Sequence, residues 1–201
     1  MTEARDLIDV ILNRRSVRQY TQRQISEDDL RTILTCGLYA PSGRGCQFSR
    51  FIVIQDPAVL EELNQLIQKD LSGRELVPGS SMSKGIARAR QANYHFIHHA
   101  PTLINVVSPR NHDNSMANCS CALMNMQLAA SALGLASCWS NQPHWLTDVP
   151  AIRAVFARYG LREEEDIFGS ISLGYAADEP KERAPRKSGR VQFDTEKDWV
   201  L

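Results

Sequence analysis

The 201 residues hold no apolar run near the roughly 18 to 20 residues that cross a bilayer, and segments such as FIVI and TLINVV fall far short. No helical membrane span is expected. Net charge is missing too. The 23 Lys and Arg balance 23 Asp and Glu, so no overall field steers the chain toward nucleic acid or an anionic membrane, and any anion site must come from a local cluster. The five cysteines (Cys36, Cys46, Cys119, Cys121, Cys138) are odd in number and form no C-x-x-C pair. The opening MTEARDLIDV has no basic and apolar signal segment. Reduced thiols in the cytoplasm are therefore the expectation. Cys119 and Cys121 would stand about 200° apart around a helix, too divergent for a disulfide or a metal pair, and read as packing residues. YHFIHH places His95 and His99 four apart, but no Glu follows His95 as H-E-x-x-H demands, so no metal site is expected.

What remains is ordinary globular composition, 43% hydrophobic and 23% charged, in a length suited to one domain over 1–201. Residues 5–12 carry Leu7, Ile8, Ile11 and Leu12 at amphipathic helical spacing. Ser26, with Asp29 three residues on, marks the start of a helix whose apolar face runs through Leu30, Ile33, Leu34, Gly37 and Leu38. FSRFIVI reads as a strand ended at Asp56-Pro57, and Val59, Leu60, Leu63, Leu66 and Ile67 space the next helix. The Gly, Ser and Pro content of 71–85 predicts a mobile, lid-like surface loop. A short helix over 86–97, a strand at TLINVV, a central core helix over about 116–133, a strand near ASCW and a helix at AIRAVFARYG follow. IFGSISLGY then suits a strand covered on both faces. From Ala176 the tail is polar with apolar anchors at Phe193, Trp199 and Leu201, so it needs a surface to dock on.

Three stretches could carry chemistry. Arg14, Arg15, Ser16 and Arg18 offer three fixed cations and a hydroxyl, a set that suits a phosphate, although a solvated basic turn has the same composition. Ala40-Pro41-Ser42-Gly43-Arg44-Gly45-Cys46-Gln47 could bring backbone N–H groups, Ser42 and Gln47 to a polar ring edge, or could be a plain tight connection. Arg186, Lys187 and Arg190 form a second basic cluster that could equally be a solvated tail.

Taken in order, RRSVRQY, APSGRGCQFSRFIVI, LAASALGLASCW and SLGYAADEPKERAPRK resemble the nitroreductase family over nearly the whole chain. The first is similar to R-R-S-x-R-x-[FY], the second to A-P-S-x-x-N-x-Q-P-W, the third to L-A-A-x-x-L-G-L-G-S-C-W and the fourth to G-[YE]-P-x-x-x-P. The resemblance implies an α+β fold, a three-layer sandwich with a mostly antiparallel central sheet flanked by helices. It implies a homodimer whose extended tail, 176–201, docks on the partner. It implies FMN, with Arg14, Ser16 and Arg186 or Lys187 at the phosphate, and Arg15 and Arg18 at the ribityl chain and pyrimidine edge. Pro41, Ser42 and Gly43 of the partner, with Gln47 nearby, would pack on the flavin ring, and Cys138, Trp139 and Ser140 would line its other side. The implied activity is ping-pong transfer of hydride from NAD(P)H to an electrophile such as a nitroaromatic or quinone, and the lack of a catalytic triad suits a flavin that carries the chemistry. The same motifs would serve flavin storage, flavin fragmentation or reductive dehalogenation, because they speak to cofactor and not substrate. Two departures bear on substrate: Gly45-Cys46-Gln47-Phe48-Ser49 replaces N-x-Q-P-W, and Asn118 stands where Asp is frequent before Cys119.

Overall fold

In this computed structural model, residues 7–178, 182 and 184–195 are described. Helix starts follow the capping chemistry legible in the sequence. The Ser26 hydroxyl accepts from the Asp29 amide at 3.1 Å and donates to the Asp29 carboxylate at 2.7 Å, opening α2 (Glu27–Leu38). Asp56 accepts from the Ala58 amide at 2.9 Å, and Pro57, whose missing N–H costs nothing in a first turn, starts α3 (Pro57–Gly73). Between them lies β1 (Arg50–Ile54).

Four strands form one antiparallel sheet in the order β1-β2-β4-β3, with β2 Thr102–Pro109, β3 Ala136–Ser140 and β4 Glu165–Gly174. Register pairs Ile52 with Asn105, Ile104 with Ile171 and Cys138 with Ser172, and a bulge falls between Val106 and Val107. Side-chain alternation sends Ile52, Ile54, Leu103 and Val107 into one apolar cluster, and Ile104, Val106, Ile171 and Leu173 into another across the sheet. The first is closed by α3, α4 (Ser81–Ala89) and α7 (Pro150–Arg158). The second is closed by α2 and α5 (Ser115–Ala132), through Ile33, Leu123 and Met126. The result is the expected α+β arrangement of three layers.

Three local expectations are corrected. Helix occupies most of 71–85: α3 runs on to Gly73 because Leu71 is fully buried, and α4 begins at Ser81 because the Ser80 hydroxyl accepts from the Met82 amide at 3.2 Å. The connection is therefore only 74–80. The helix expected over 86–97 ends at Ala89, beyond which the chain makes successive tight turns up to Ala100. His95 and His99 thus sit in turns, not four apart on a helix. A short α6 (Gln142–Leu146), too brief to show periodicity, follows β3 directly. In α1 (Leu7–Asn13) only Val10 is buried, while Leu7, Ile8, Ile11 and Leu12 remain between 47% and 64% exposed, so its apolar stripe faces away from this chain's core. Among the described residues, no helix is long and apolar enough to cross a membrane.

Gly37 sets how closely α2 approaches α5, because a Cβ there would lie 2.8 Å from both Met126 and Phe51. Gly37→Ala is expected to destabilise the fold by about 1–3 kcal/mol through overpacking, measured by urea unfolding. A variant as stable as the parent would show that Met126 and Phe51 yield without cost.

Candidate functional site

The chain after α1 is bound to the sheet by backbone pairing. Val17 N–H donates to Ser137 O at 3.1 Å, where Ser16 bridges Ser137, so the RRSVR segment lies along the outer edge of β3. Farther on, Thr21 N–H donates to Tyr175 O at 2.9 Å and Ala177 N–H to Gln19 O at 3.0 Å, which carries the start of the tail back past the same segment. The Tyr20 hydroxyl sits 3.0 Å from Ser172 Oγ and donates to Val17 O at 2.9 Å, pinning the crossing from within.

This pairing gathers cations. Arg14 is half-buried, and its guanidinium donates to Gln127 Oε1 of α5 at 3.5 Å. Burial lowers its pKa, with the charges of Arg15 and Arg186 adding to the effect against the opposite pull of Cys138. Burial pushes the Cys138 thiol up, against Arg18, a hydrogen bond from Ser16, Arg14 and Arg88. Arg14, Ser16, Arg18, Arg88, Cys138 and Arg186 thus share one electrostatic neighbourhood. Arg15 turns partly away, donating to Leu12 O at 3.0 Å and Arg14 O at 2.8 Å, yet its Nε is buried with no hydrogen-bond partner. Among the described residues none of Arg14, Arg15, Arg18 and Arg88 forms a salt bridge. Beside them a cavity of about 290 Å³ is lined by Arg14, Arg15, Val17, Ser131 and Ser137. Like charges left without carboxylates, next to a hydroxyl and an unsatisfied N–H, form a receptor for an anion.

The other expected residues are split. Cys138 and Ser140 share one face of β3, and Ser140 Oγ donates to Gln142 Oε1 at 2.7 Å. Trp139 alternates to the opposite face, where it packs over Gly169 with Leu123 and its indole N–H donates to Asn141 at 2.6 Å. The strand period of two therefore separates it from Cys138 and Ser140. Lys187 is exposed.

The Pro-Ser-Gly loop lies elsewhere in this chain. Pro41, Ser42 and Gln47 line a cavity of about 720 Å³ with Tyr39, Asn118 and Ala122. Gln47 N–H donates to Ser42 Oγ at 3.1 Å, and Arg44, Gly45 and Gln47 all adopt left-handed φ, of 57°, 65° and 50°. Asn118 clamps the loop, accepting from Gly43 N–H at 3.0 Å and donating to Cys46 Sγ at 3.4 Å. An Asp there could accept from the amide but could not donate to the sulfur, which gives the departure at 118 a structural reason. This cavity and the arginine cavity come nearest each other along α5 at Ala122 and Ser131, separated by about 14 Å of helix. The two motifs therefore border separate cavities in this chain.

Arg88, in the last turn of α4, carries no signal in the sequence, and His98 drew attention there only as part of YHFIHH, as a candidate metal ligand, and not as a neighbour of the arginines. Arg88 donates to His98 Nδ1 at 3.4 Å. No spacing along the chain links either residue to RRSVR, so only the folded packing of α4 could reveal them.

A sequence model of the nitroreductase family matches residues 11–175. A nitroreductase with bound FMN from Bacteroides fragilis is 34% identical, with a TM-score of 0.84 over 94% of this chain and 98% of that one. A provisionally named NADH dehydrogenase/NAD(P)H nitroreductase of Archaeoglobus fulgidus is 29% identical over 87% of each chain. The provisionally named NAD(P)H nitroreductase YdjA of Escherichia coli K12 is 28% identical over 84% of this chain and 87% of its own.

Two histidines in the turns after α4, of which His98 lies beside Arg88, give the fold a pH dependence. Burial, then the charge of His99, pushes His95 down to about 4 against the weaker pull of Glu61. Burial, then Arg88 and Arg18, pushes His98 down to about 4. Both rings are neutral in the fold and protonate more readily once unfolded, near the ordinary 6.5. Stability is therefore complete above that value, falls as pH drops toward 4 and levels off below it. Each ring contributes a slope of at most about 1.4 kcal/mol per pH unit. Urea midpoints measured from pH 7.5 to 4 should show this decline, and His95→Gln should remove about half of it. A profile unchanged by His95→Gln would overturn the neutral assignment of that ring.

Proposed function

The chain belongs to the nitroreductase family, and from that premise we propose that it passes hydride from NAD(P)H through bound FMN to an electrophilic small molecule such as a nitroaromatic or quinone. The observation that carries this reading is the convergence of Arg14, Ser16, Arg18 and Arg186 at the β3 edge, with no salt bridge to a carboxylate among the described residues. The buried, unpartnered Arg15 Nε fits the same demand for an anionic ligand. When bound, FMN supplies a ring that accepts hydride from one substrate and releases it to another.

In this proposal Arg14, Ser16 and Arg186, with Lys187 in reach along the tail, grip the phosphate by charge-assisted hydrogen bonds, while Arg15 and Arg18 hold the ribityl chain and the pyrimidine edge. Cys138, kept as a thiol by burial, and Ser140 line the ring from the sheet side. Trp139 supports β3 from behind instead of touching the ring. The fixed charge of Arg18 stabilises the electron-rich reduced form. Pro41, Ser42, Gly43 and Gln47 would cover the ring from a second copy, because this chain's own loop and its own arginines border separate cavities that meet α5 about 14 Å apart. The exposed Leu7, Ile8, Ile11 and Leu12 of α1 supply apolar surface for such a homodimer. Docking of the tail from 176 on the partner belongs to the same proposal, and its anchors Trp199 and Leu201 lie outside the described residues. All five cysteines are free, which fits a single domain working in the reducing cytoplasm.

The purified protein should take up FMN and bleach anaerobically with NADH or NADPH, followed by flavin absorbance. Colour that persists after either nucleotide would instead favour a flavin-binding protein without reductase activity. Arg14→Ala together with Arg186→Ala should weaken FMN retention by roughly 1.5–3 kcal/mol per lost charged contact, and unchanged retention would reject the phosphate assignment. Sedimentation should give a flavin-loaded dimer. A flavin-loaded monomer would remove the two-copy site.

A further inference from the structure

The turns between α4 and β2 contain an unusual pair: His98 and His99 are consecutive and both left-handed, with φ of 56° and 59°. Outside glycine such conformations are uncommon and persist where the surroundings over-determine them. Here the turn closed by Ala100 N–H to Ile97 O at 3.1 Å has His98 and His99 as its two central residues and fixes them in this conformation. The conformation leaves His98 Nδ1 accepting from the Arg88 guanidinium at 3.4 Å. A guanidinium only donates, so the ring nitrogen facing it must be unprotonated.

The position of Arg88 is set independently. Gly85 lets α4 close on Trp145 of α6, since a Cβ at 85 would stand 3.1 Å from the indole, and α6 directly follows β3. Arg88 lies one helical turn beyond Gly85, and its charge reaches Cys138 together with those of Arg18 and Arg14. As an exposed side chain in a last helical turn, Arg88 would otherwise sample many rotamers, whose entropy is lost on being fixed.

We propose that His98 is a positioning residue, whose left-handed turn and neutral imidazole hold the Arg88 guanidinium in the flavin site as a fixed cation toward Cys138. This rests on the flavin reading above and adds a residue pair to it. The choice of side chain follows from the charges present. Asp or Glu at 98 would neutralise Arg88, and Lys or Arg would repel it. A neutral histidine accepts from Arg88 and leaves its charge intact, and burial together with Arg88 and Arg18 keeps the ring neutral at working pH.

The test uses the FMN-loaded protein, with affinity read by flavin fluorescence titration and the midpoint potential of the bound flavin as an independent readout. Glycine relieves the left-handed backbone while deleting the acceptor, so His98→Gly should fold, weaken FMN binding about three- to tenfold and move the potential to more negative values. His98→Asn tolerates the same backbone and keeps an acceptor, so it should lie within about twofold of the parent. Because His98 acts through Arg88, the pair Arg88→Ala and His98→Gly should match Arg88→Ala alone. Parental affinity and potential in His98→Gly would overturn the inference, as would a further loss in the double variant or no rescue by Asn. If the parent binds FMN while His98→Gly is unaltered, only this inference falls. A parent that takes up no FMN brings down the flavin reading and this one with it.

Discussion

Arginines repel one another, and a chain that gathers them must hold them by something other than their charge. Here the holding element is the backbone. Val17 pairs with Ser137 at the edge of β3, and the stretch through Thr21 pairs with Tyr175 and Ala177 beyond β4, so Arg14, Ser16 and Arg18 are carried on a sheet whose position is fixed by the core. The returning tail is drawn along that path, which is how Arg186 comes near Arg14 although they lie at opposite ends of the sequence. The repulsion so confined is what makes the edge receptive to an anion.

The Pro-Ser-Gly motif is fixed by other means. At 42–47 no sheet is available, and the loop is held by a side chain, Asn118, together with residues driven into left-handed backbone. Asn118 belongs to α5, the helix that also meets Arg14 through Gln127. A single rigid helix thus sets the spacing of the two motifs, with about 14 Å between the points where their cavities meet it.

Elements whose signal is local were legible in the residues. Ser26 with Asp29, and Asp56 with Pro57, declare their helices because capping needs only neighbours. The long α5 and the strand over IFGSISLGY are marked by sustained apolar content. The 71–85 stretch misled because its Gly and Ser content suggested a loop, while the burial of Leu71 and the cap at Ser80 turned most of it into helix. The RRSVR and Pro-Ser-Gly motifs were found in order along the chain, but their separation across α5 is a tertiary fact. So is the opposite facing of Trp139 and Cys138, which one strand period decides. Arg88 and His98 had no signature as neighbours of the arginines, since a single basic residue on a helix and a histidine in a turn are chemically ordinary until Gly85 admits Trp145.

The strand order β1-β2-β4-β3 has a further consequence for how the molecule is made. β4 lies between β2 and β3, yet among the described residues it is the last strand and ends only at Gly174. While the polypeptide emerges from the ribosome, β2, buried on both faces in the finished protein, has β1 as its one available neighbour, and β3 has none in the sheet. The layered core cannot close until the chain as far as Gly174 has been synthesised. Vectorial synthesis therefore leaves β2 and β3 without their shared neighbour until β4 follows, a stretch in which the nascent chain is open to chaperones and self-association.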